Sequence, residues 1–254
     1  MTKAGYAEGL ERGGGHRPVT DGNGVRLTKS PPMADLSPSG CERIIIVGAG
    51  GFGREVLQWA RHAWPECAAK IAGFLSADSD KLAGHAPTLP ILGSPADFQP
   101  RPSDGLVLAI GVPGVRRQVA EQLEAKAARF LTLIHPAAIV ADTAEIGTGS
   151  IICPYAIVSD AVRLGRCVLV NYHASLGHDA TAGEYCVLSP YAALGGNASI
   201  EADVFLSMHV TVGPRVRVGS GTIVSANSCV LQHSPPNSII YGVPGLVTPR
   251  LAVR

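Results

Sequence analysis

From Val140 to Pro235 the sequence reads VADTAE IGTGSI ICPYAI VSDAVR LGRCVL VNYHAS LGHDAT AGEYCV LSPYAA LGGNAS IEADVF LSMHVT VGPRVR VGSGTI VSANSC VLQHSP, sixteen hexads without a slip. The first position is Val, Leu or Ile in fifteen of the sixteen, Ala182 being the exception, and the fifth is always Ala, Ser, Thr, Val or Cys. A period of six fits neither an amphipathic helix nor an alternating strand. It fits a triangular β-solenoid in which each hexad is one short strand and one corner, and three hexads close a coil of 18 residues. The aliphatic first position then points inward, together with the small fifth position, because space at the vertices is tight. Frequent Gly, Ser or Asn at the second position, with polar residues at the third and fourth, is expected to supply the corner dihedrals. Five coils or so, at roughly 4.8 Å between stacked strands, give a prism about 25 Å long.

Upstream of the solenoid the rule changes. Arg43-Ile44-Ile45-Ile46-Val47 is a β-branched run that ends in glycine, as a buried parallel strand does. Phe52 to Ala63 carries Val56, Leu57 and Ala60 on one helical face. Strands are expected at 71–75 and 106–110, a helix at 115–130, and a further extended stretch at 132–134. Alternation of this kind predicts a small doubly wound, Rossmann-like α/β domain over residues 43–134, ahead of a β-helix domain over 137–235. Residues 1–40 hold eight Gly and four Pro with no apolar periodicity, and are expected to be a disordered extension, with Met33 as an alternative start. Residues 236–254 form a tail expected to fold back on the last coil.

Composition sets outer limits. The 254 residues are 46% hydrophobic, enough for a substantial core. Twenty-one basic residues against 20 acidic ones leave no basic field for nucleic acid or an anionic membrane. No apolar run approaches the roughly 20 residues of a membrane span. With no leader pattern at the N-terminus, a cytoplasmic protein is expected. The six Cys form no CxxC pair and no finger spacing, and read as small apolar fillers.

Gly48-x-Gly50-x-x-Gly53 follows a strand and opens a helix, the arrangement that lets backbone N–H groups approach a diphosphate. Where a nicotinamide dinucleotide site wants an acidic residue at the end of the second strand, this chain has Ser76-Ala77. A purely structural glycine turn and an NAD(P)-binding protein both remain readings of this motif.

Taken with Gly48 to Val56, Ala109-Ile110-Gly111, Ile134-His135-Pro136 and the hexads, the chain resembles the sialic-acid O-acetyltransferase family, which includes N-acetyltransferases of nucleotide-linked amino sugars. The resemblance spans about residues 43–250. It implies a left-handed parallel β-helix, acetyl-CoA as co-substrate, a homotrimer, and an N-terminal domain that binds a nucleotide-sugar acceptor. In Asn171-Tyr172-His173-Ala174-Ser175-Leu176-Gly177-His178-Asp179 it implies His178 as general base and Asp179 as its carboxylate support. It further implies CoA contacts at Asn171, Val187, Gly196, Met208 and Ala226, and acceptor contacts at Gly50, Gly51, Phe52 and Gly111. Phe52 stands where some members carry His.

The spacing itself puts His178 and Asp179 at a solenoid corner, projecting outward, with Gly196 one coil further on. The missing side chain there is expected to leave room for a thioester, and the Gly196 N–H to hold an oxyanion. An inconsequential surface His-Asp pair is the plainer reading. His173 and His209 fall 36 residues apart, on one corner column with Tyr191 between them. Three histidines on a β-helix leave a zinc enzyme similar to the γ-class carbonic anhydrases as an alternative, although the position for its third histidine holds Ala137. No metal is expected.

Overall fold

The computed structural model describes residues 38–85 and 89–250. Most of the expected N-terminal extension and the last residues of the tail lie outside them. Within them, β1 (Arg43–Val47) is the central strand of a three-stranded parallel sheet, flanked by β2 (Ile71–Leu75) and β3 (Asp104–Leu108). The helices α1 (Gly51–Ala63) and α2 (Pro113–Glu124) cover opposite faces of it. Alternate residues of β1 divide accordingly. Ile44 and Ile46 pack with Val56, Leu57 and Ala60 of α1, while Ile45 and Val47 pack with Ala120 and Leu123 of α2. Each such buried aliphatic side chain contributes about 1.5–3 kcal/mol.

Three boundaries differ from the sequence expectation, each for a local reason. β3 starts at Asp104 rather than Leu106, because Asp104 pairs in register with Arg43 and receives two hydrogen bonds from its guanidinium at 2.7 and 2.8 Å. The helix expected over 115–130 starts with Pro113 in its first turn and stops at Glu124. Ala127 then turns left-handed (φ 61°) and Phe130 bridges to Leu106. The stretch at 132–134 belongs to the other architecture: Leu133–Ile134 pairs with Ile151–Ile152 as the first rung of the solenoid.

The solenoid that the period implies is present, as the left-handed parallel β-helix implied by the resemblance. Two-residue strands stack with partners 18 residues apart, for example Ser175↔Ala193 and Leu176↔Leu194. Three sheets result. The first face runs from Leu133–Ile134 to Ser238–Tyr241, the second from Ile139–Val140 to Cys229–Val230, and the third from Glu145–Ile146 to Arg217–Val218. First and fifth hexad positions fill the interior, as in Leu176, Ala180, Leu188, Ala192, Leu194 and Ala198.

The corner chemistry is assigned differently from the expectation. Left-handed backbone falls at the fourth position, as at Tyr155, His173, Asp179, Asn197 and Asp203, all with φ near 60°. Second-position glycines serve close approach instead: a Cβ on Gly183 would stand 2.5 Å from the Ala202 backbone nitrogen. The tail lies against the last coil by extending the first face. Ser238–Tyr241 adds a parallel strand beside Ile223–Val224, and Leu246–Pro249 returns antiparallel to it.

The two parts are joined through the first face. Its outward residues Ile151, Leu169 and Val187 share a core with α1. The corner between the third and first faces meets α2. Arg117 is bidentate to Asp203 (2.7–3.0 Å), and Arg166 reaches Glu124 at 2.5 Å. Arg116 is fully buried, donating to the carbonyls of Cys167 (2.6 Å), Leu108 (2.6 Å) and Ile110 (2.8 Å). With no carboxylate beside it, burial pulls this guanidinium down to about 10.

Candidate active site

The prism has three corners, and they are not alike. The corner between the third and first faces is covered by α2. The other two flank the second face, whose outward column runs Ile139, Ile157, Ser175, Ala193, Thr211, Cys229 without a charge.

One of these open corners carries His178 and Asp179. The left-handed turn at Asp179 (φ 59°) swings its carboxylate back to the preceding ring, and His178 Nδ1 meets Asp179 Oδ2 at 2.8 Å. Both side chains are open to solvent, at 65% and 54% exposure. The carboxylate fixes the tautomer that keeps Nε2 free to take a proton. Gly196 lies one coil above, as the spacing requires. The room left by its missing side chain is occupied by the imidazole itself: a Cβ on Gly196 would stand 2.5 Å from His178 Nε2. Glycine at 196 is thus what lets the ring lie flat against the next coil.

The remaining residues of the expected CoA set are elsewhere on the prism. Asn171, Met208 and Ala226 sit on the other open corner, across the second face from His178. Val187 is on the first face, buried with α1. Within one chain these residues do not converge on the imidazole.

The acceptor residues cluster at the carboxyl ends of β1 and β3. Gly48 adopts φ 111°, and a Cβ there would stand 2.5 Å from the Ala109 carbonyl oxygen. A Cβ on Gly53 would collide with the Gly48 carbonyl oxygen. Both glycines are demanded by the turn itself. Gly50 and Gly111 have nothing within 4 Å of an added Cβ, so the N-terminus of α1 stays open. Gly50 caps that helix without a side-chain hydrogen bond, and its first N–H groups are available to an anion. Phe52 packs edge-on to Trp59, with centroids 5.9 Å apart, and so serves the α1 core as well as the turn.

Two features go beyond the sequence reading. His173 and His209 share a column with Tyr191, as their spacing placed them, and Tyr155, which that reading missed, completes it. The four rings stack at 5.1, 4.8 and 4.8 Å with interplanar angles of 13°, 9° and 5°. The 18-residue spacing of Tyr155, His173, Tyr191 and His209 was the signal that could have found it. The second feature is a pair at the junction. His135 is buried and accepts from the Ala137 N–H at Nδ1 (3.1 Å), so Nε2 faces His62 Nδ1 at 3.2 Å as the donor. His173 and His178 stand on different corners. Among the described residues no three His, Cys, Asp or Glu are grouped to hold a metal, and no helix is long and apolar enough to cross a membrane. Burial raises the thiols of Cys153, Cys167 and Cys186, the last to about 12, in line with a filler role.

Known proteins share this arrangement. The PglD N-terminal domain matches residues 43–123. A 46-residue stretch is 48% identical to UDP-N-acetylbacillosamine N-acetyltransferase of Bacillus subtilis, covering 18% of this chain and 21% of that protein. The match thus spans about a fifth of that relative's length. The structure of PerB from Caulobacter crescentus, in complex with CoA and GDP-perosamine, is 25% identical with a TM-score of 0.73, over 81% of this chain and 97% of that one. The acetyltransferase domain of PglB from Neisseria gonorrhoeae is 26% identical with a TM-score of 0.72, over 82% and 100%. The chain is thus similar in sequence and fold to hexapeptide-repeat acetyltransferases of nucleotide-linked amino sugars. Such likeness locates chemistry only through specific side chains. Here the His178–Asp179 pair and the open α1 turn are the two places that offer it.

Proposed function

We propose that the protein transfers an acetyl group from acetyl-CoA to the amine of a nucleotide-linked amino sugar. The observation that carries this reading is the His178–Asp179 pair, held at 2.8 Å on an open solenoid corner and pressed against Gly196. His178 Nε2 takes the proton from the amine as its nitrogen attacks the thioester carbonyl. The resulting tetrahedral intermediate carries an oxyanion, for which the Gly196 N–H, without an acceptor among the described residues, is the candidate donor. Collapse breaks the C–S bond, and the imidazolium returns its proton to the departing thiolate. Asp179 stabilises the imidazolium throughout. Gly50, Gly51, Phe52 and Gly111 hold the acceptor's diphosphate end, and Asn171, Gly196, Met208 and Ala226 remain the proposed CoA contacts, whereas Val187, buried under α1, is dropped from the set. An amine rather than a hydroxyl is favoured by the name of the Bacillus subtilis relative, an N-acetyltransferase.

The split of the proposed CoA set over two corners supports a homotrimer, in which neighbouring prisms complete each other's sites. Free, mostly buried cysteines support a reducing, cytoplasmic setting. The test is a panel of UDP- and GDP-linked amino sugars assayed for CoA thiol release, with light scattering on the same sample. Release with at least one amino sugar and a trimer mass near three times 26.3 kDa are expected. Silence across the panel, with NAD(P)H binding instead, would sink the reading.

A further inference from the structure

β3 is an edge strand of its sheet, and a neighbouring segment covers its outward side only in part. The Phe130 bridge covers it at Leu106, whose N–H donates to the Arg129 carbonyl (2.9 Å) and whose carbonyl accepts from the Leu131 N–H (2.8 Å). Ala109 faces inward and donates to the Val47 carbonyl of β1 (2.8 Å). Alternation then turns the carbonyls of Leu108 and Ile110 outward, past the end of the bridging segment. Both end on Arg116 Nη1, at 2.6 and 2.8 Å. One guanidinium thus stands where a fourth strand would and continues the edge by two carbonyls. Its Nε reaches across to the solenoid, donating to the Cys167 carbonyl at 2.6 Å.

Such a residue is costly where it stands. Arg116 is fully buried, has no carboxylate partner among the described residues, and leaves its Nη2 without a hydrogen bond. Docking of α2 does not explain it. That contact is already made nearer the surface by Arg117 to Asp203 and by Glu124 to Arg166, pairs that keep access to solvent. What Arg116 alone holds is the strand end that leads into Gly111. This end forms one wall of the crevice between the carboxyl ends of β1 and β3, from which α1 and α2 leave to opposite faces of the sheet. Open α/β sheets bind ligands at such a reversal. The opposite wall is the turn from Gly48 to Gly50, which Gly48 and Gly53 lock by close backbone contact. Gly111 has nothing within 4 Å of an added Cβ. Its wall is held from behind, by Arg116.

We propose that Arg116 is a positioning residue for the acceptor. By holding the Leu108 and Ile110 carbonyls it fixes the Gly111 wall opposite Gly50, and so sets how tightly the crevice grips a nucleoside diphosphate. Through Cys167 it ties that wall to the solenoid. This rests on the acetyl-transfer reading and adds to it a residue that touches neither substrate. Arginine suits the task by its geometry. Three carbonyls from three segments meet one planar fork, whereas a lysine ammonium is a point charge on a flexible stem.

The probes are UDP and GDP, titrated calorimetrically into the full chain and its variants. Wild type is expected to bind at least one of them. Arg116→Lys keeps the charge and should weaken that nucleotide at least about tenfold, and Arg116→Met should weaken it further. With an amino sugar that the wild type acetylates, Arg116→Lys should raise the acceptor KM by a similar factor and leave the acetyl-CoA KM within about twofold. Arg117→Ala is the structural control. It loosens α2 at the surface and should leave nucleotide affinity within about twofold. Wild-type affinity in Arg116→Lys overturns the proposal. So does an equal loss in Arg117→Ala, which would mean that any loosening of α2 suffices. A lysine variant that fails to fold marks Arg116 as structural and overturns it as well. Wild-type protein that binds neither nucleotide has the same force. Each of these outcomes can occur with CoA thiol release intact, so acetyl transfer is judged separately by that release.

Discussion

Two corners of the same prism, the one under α2 and the one bearing His178, share every backbone rule and differ in what their side chains are for. At both, the fourth position is left-handed and a second-position glycine lets the next coil approach. Under α2 the column Cys167, Tyr185, Asp203 is spent on docking. The Tyr185 ring lies between the guanidiniums of Arg117 and Arg166, whose carbons are 4.2 and 4.8 Å from its centroid. At the other corner the equivalent column places Asp179 against an imidazole and leaves both in solvent. The difference teaches that the solenoid backbone is neutral as to use. Its function is assigned column by column, by side chains that the fold does not require.

The comparison can be broken most sharply at His178. His178→Ala is expected to lower kcat by roughly 10²–10⁴ and to leave the thermal midpoint within a degree or two of wild type, because the side chain is exposed. Asp179→Asn should cost less, since the base survives and only its tautomer and basicity suffer. Steady-state kinetics beside calorimetry reads both. A large loss of stability in either variant would mean that this corner, too, is structural.

The mirror experiment is Arg117→Ala. It removes a bidentate, half-buried pair with Asp203 and a cation over Tyr185, and should cost about 1 kcal/mol of stability with kcat unchanged. Denaturant unfolding measures it.

A smaller effect is expected from pH at the junction. Burial, helped by the neighbouring His62, holds the folded His135 below the ordinary imidazole value. The unfolded chain therefore binds the proton first, and stability falls as pH drops below about 6.5. Thermal scans from pH 7.5 to 5.5 should show this decline, and His135→Gln should flatten it. An unchanged slope would assign the decline to other groups.

The smallest change is Tyr185→Phe. The hydroxyl is buried without a hydrogen-bond partner, so its removal should be neutral or slightly stabilising. A loss above about 1 kcal/mol would reveal a partner for that hydroxyl.

Legibility in the sequence followed the same divide. The solenoid was readable because burial repeats: every sixth residue meets the same apolar interior, so Leu176, Leu188 and Leu194 announce themselves. The α/β part was readable to within a few residues. Strand and helix periods locate β1, α1 and β2, but the ends of β3 and α2 depend on one ion pair, Arg43–Asp104, and on one turn at Ala127. His178 and Asp179 were visible as a corner pair, and their contact needed only adjacency. What could not be read was which face of the prism α1 would cover. Val187 looks like any sixth-position residue until α1 is seen to cover its face. The burial of Arg116 was also hidden, because its acceptors are carbonyls that come from distant parts of the chain.

The rung pairing of Ser175 with Ala193 and of Leu169 with Val187 carries a consequence for how this chain can change length. Insertion or deletion of six residues would preserve the apolar rhythm and the core, yet would turn every later hexad by a third of a revolution. Asp203 would leave its arginine, and the ring column would be cut between coils. Eighteen residues could be gained or lost with each column still aligned. Packing therefore counts in sixes, whereas heredity of the active surface has to count in eighteens.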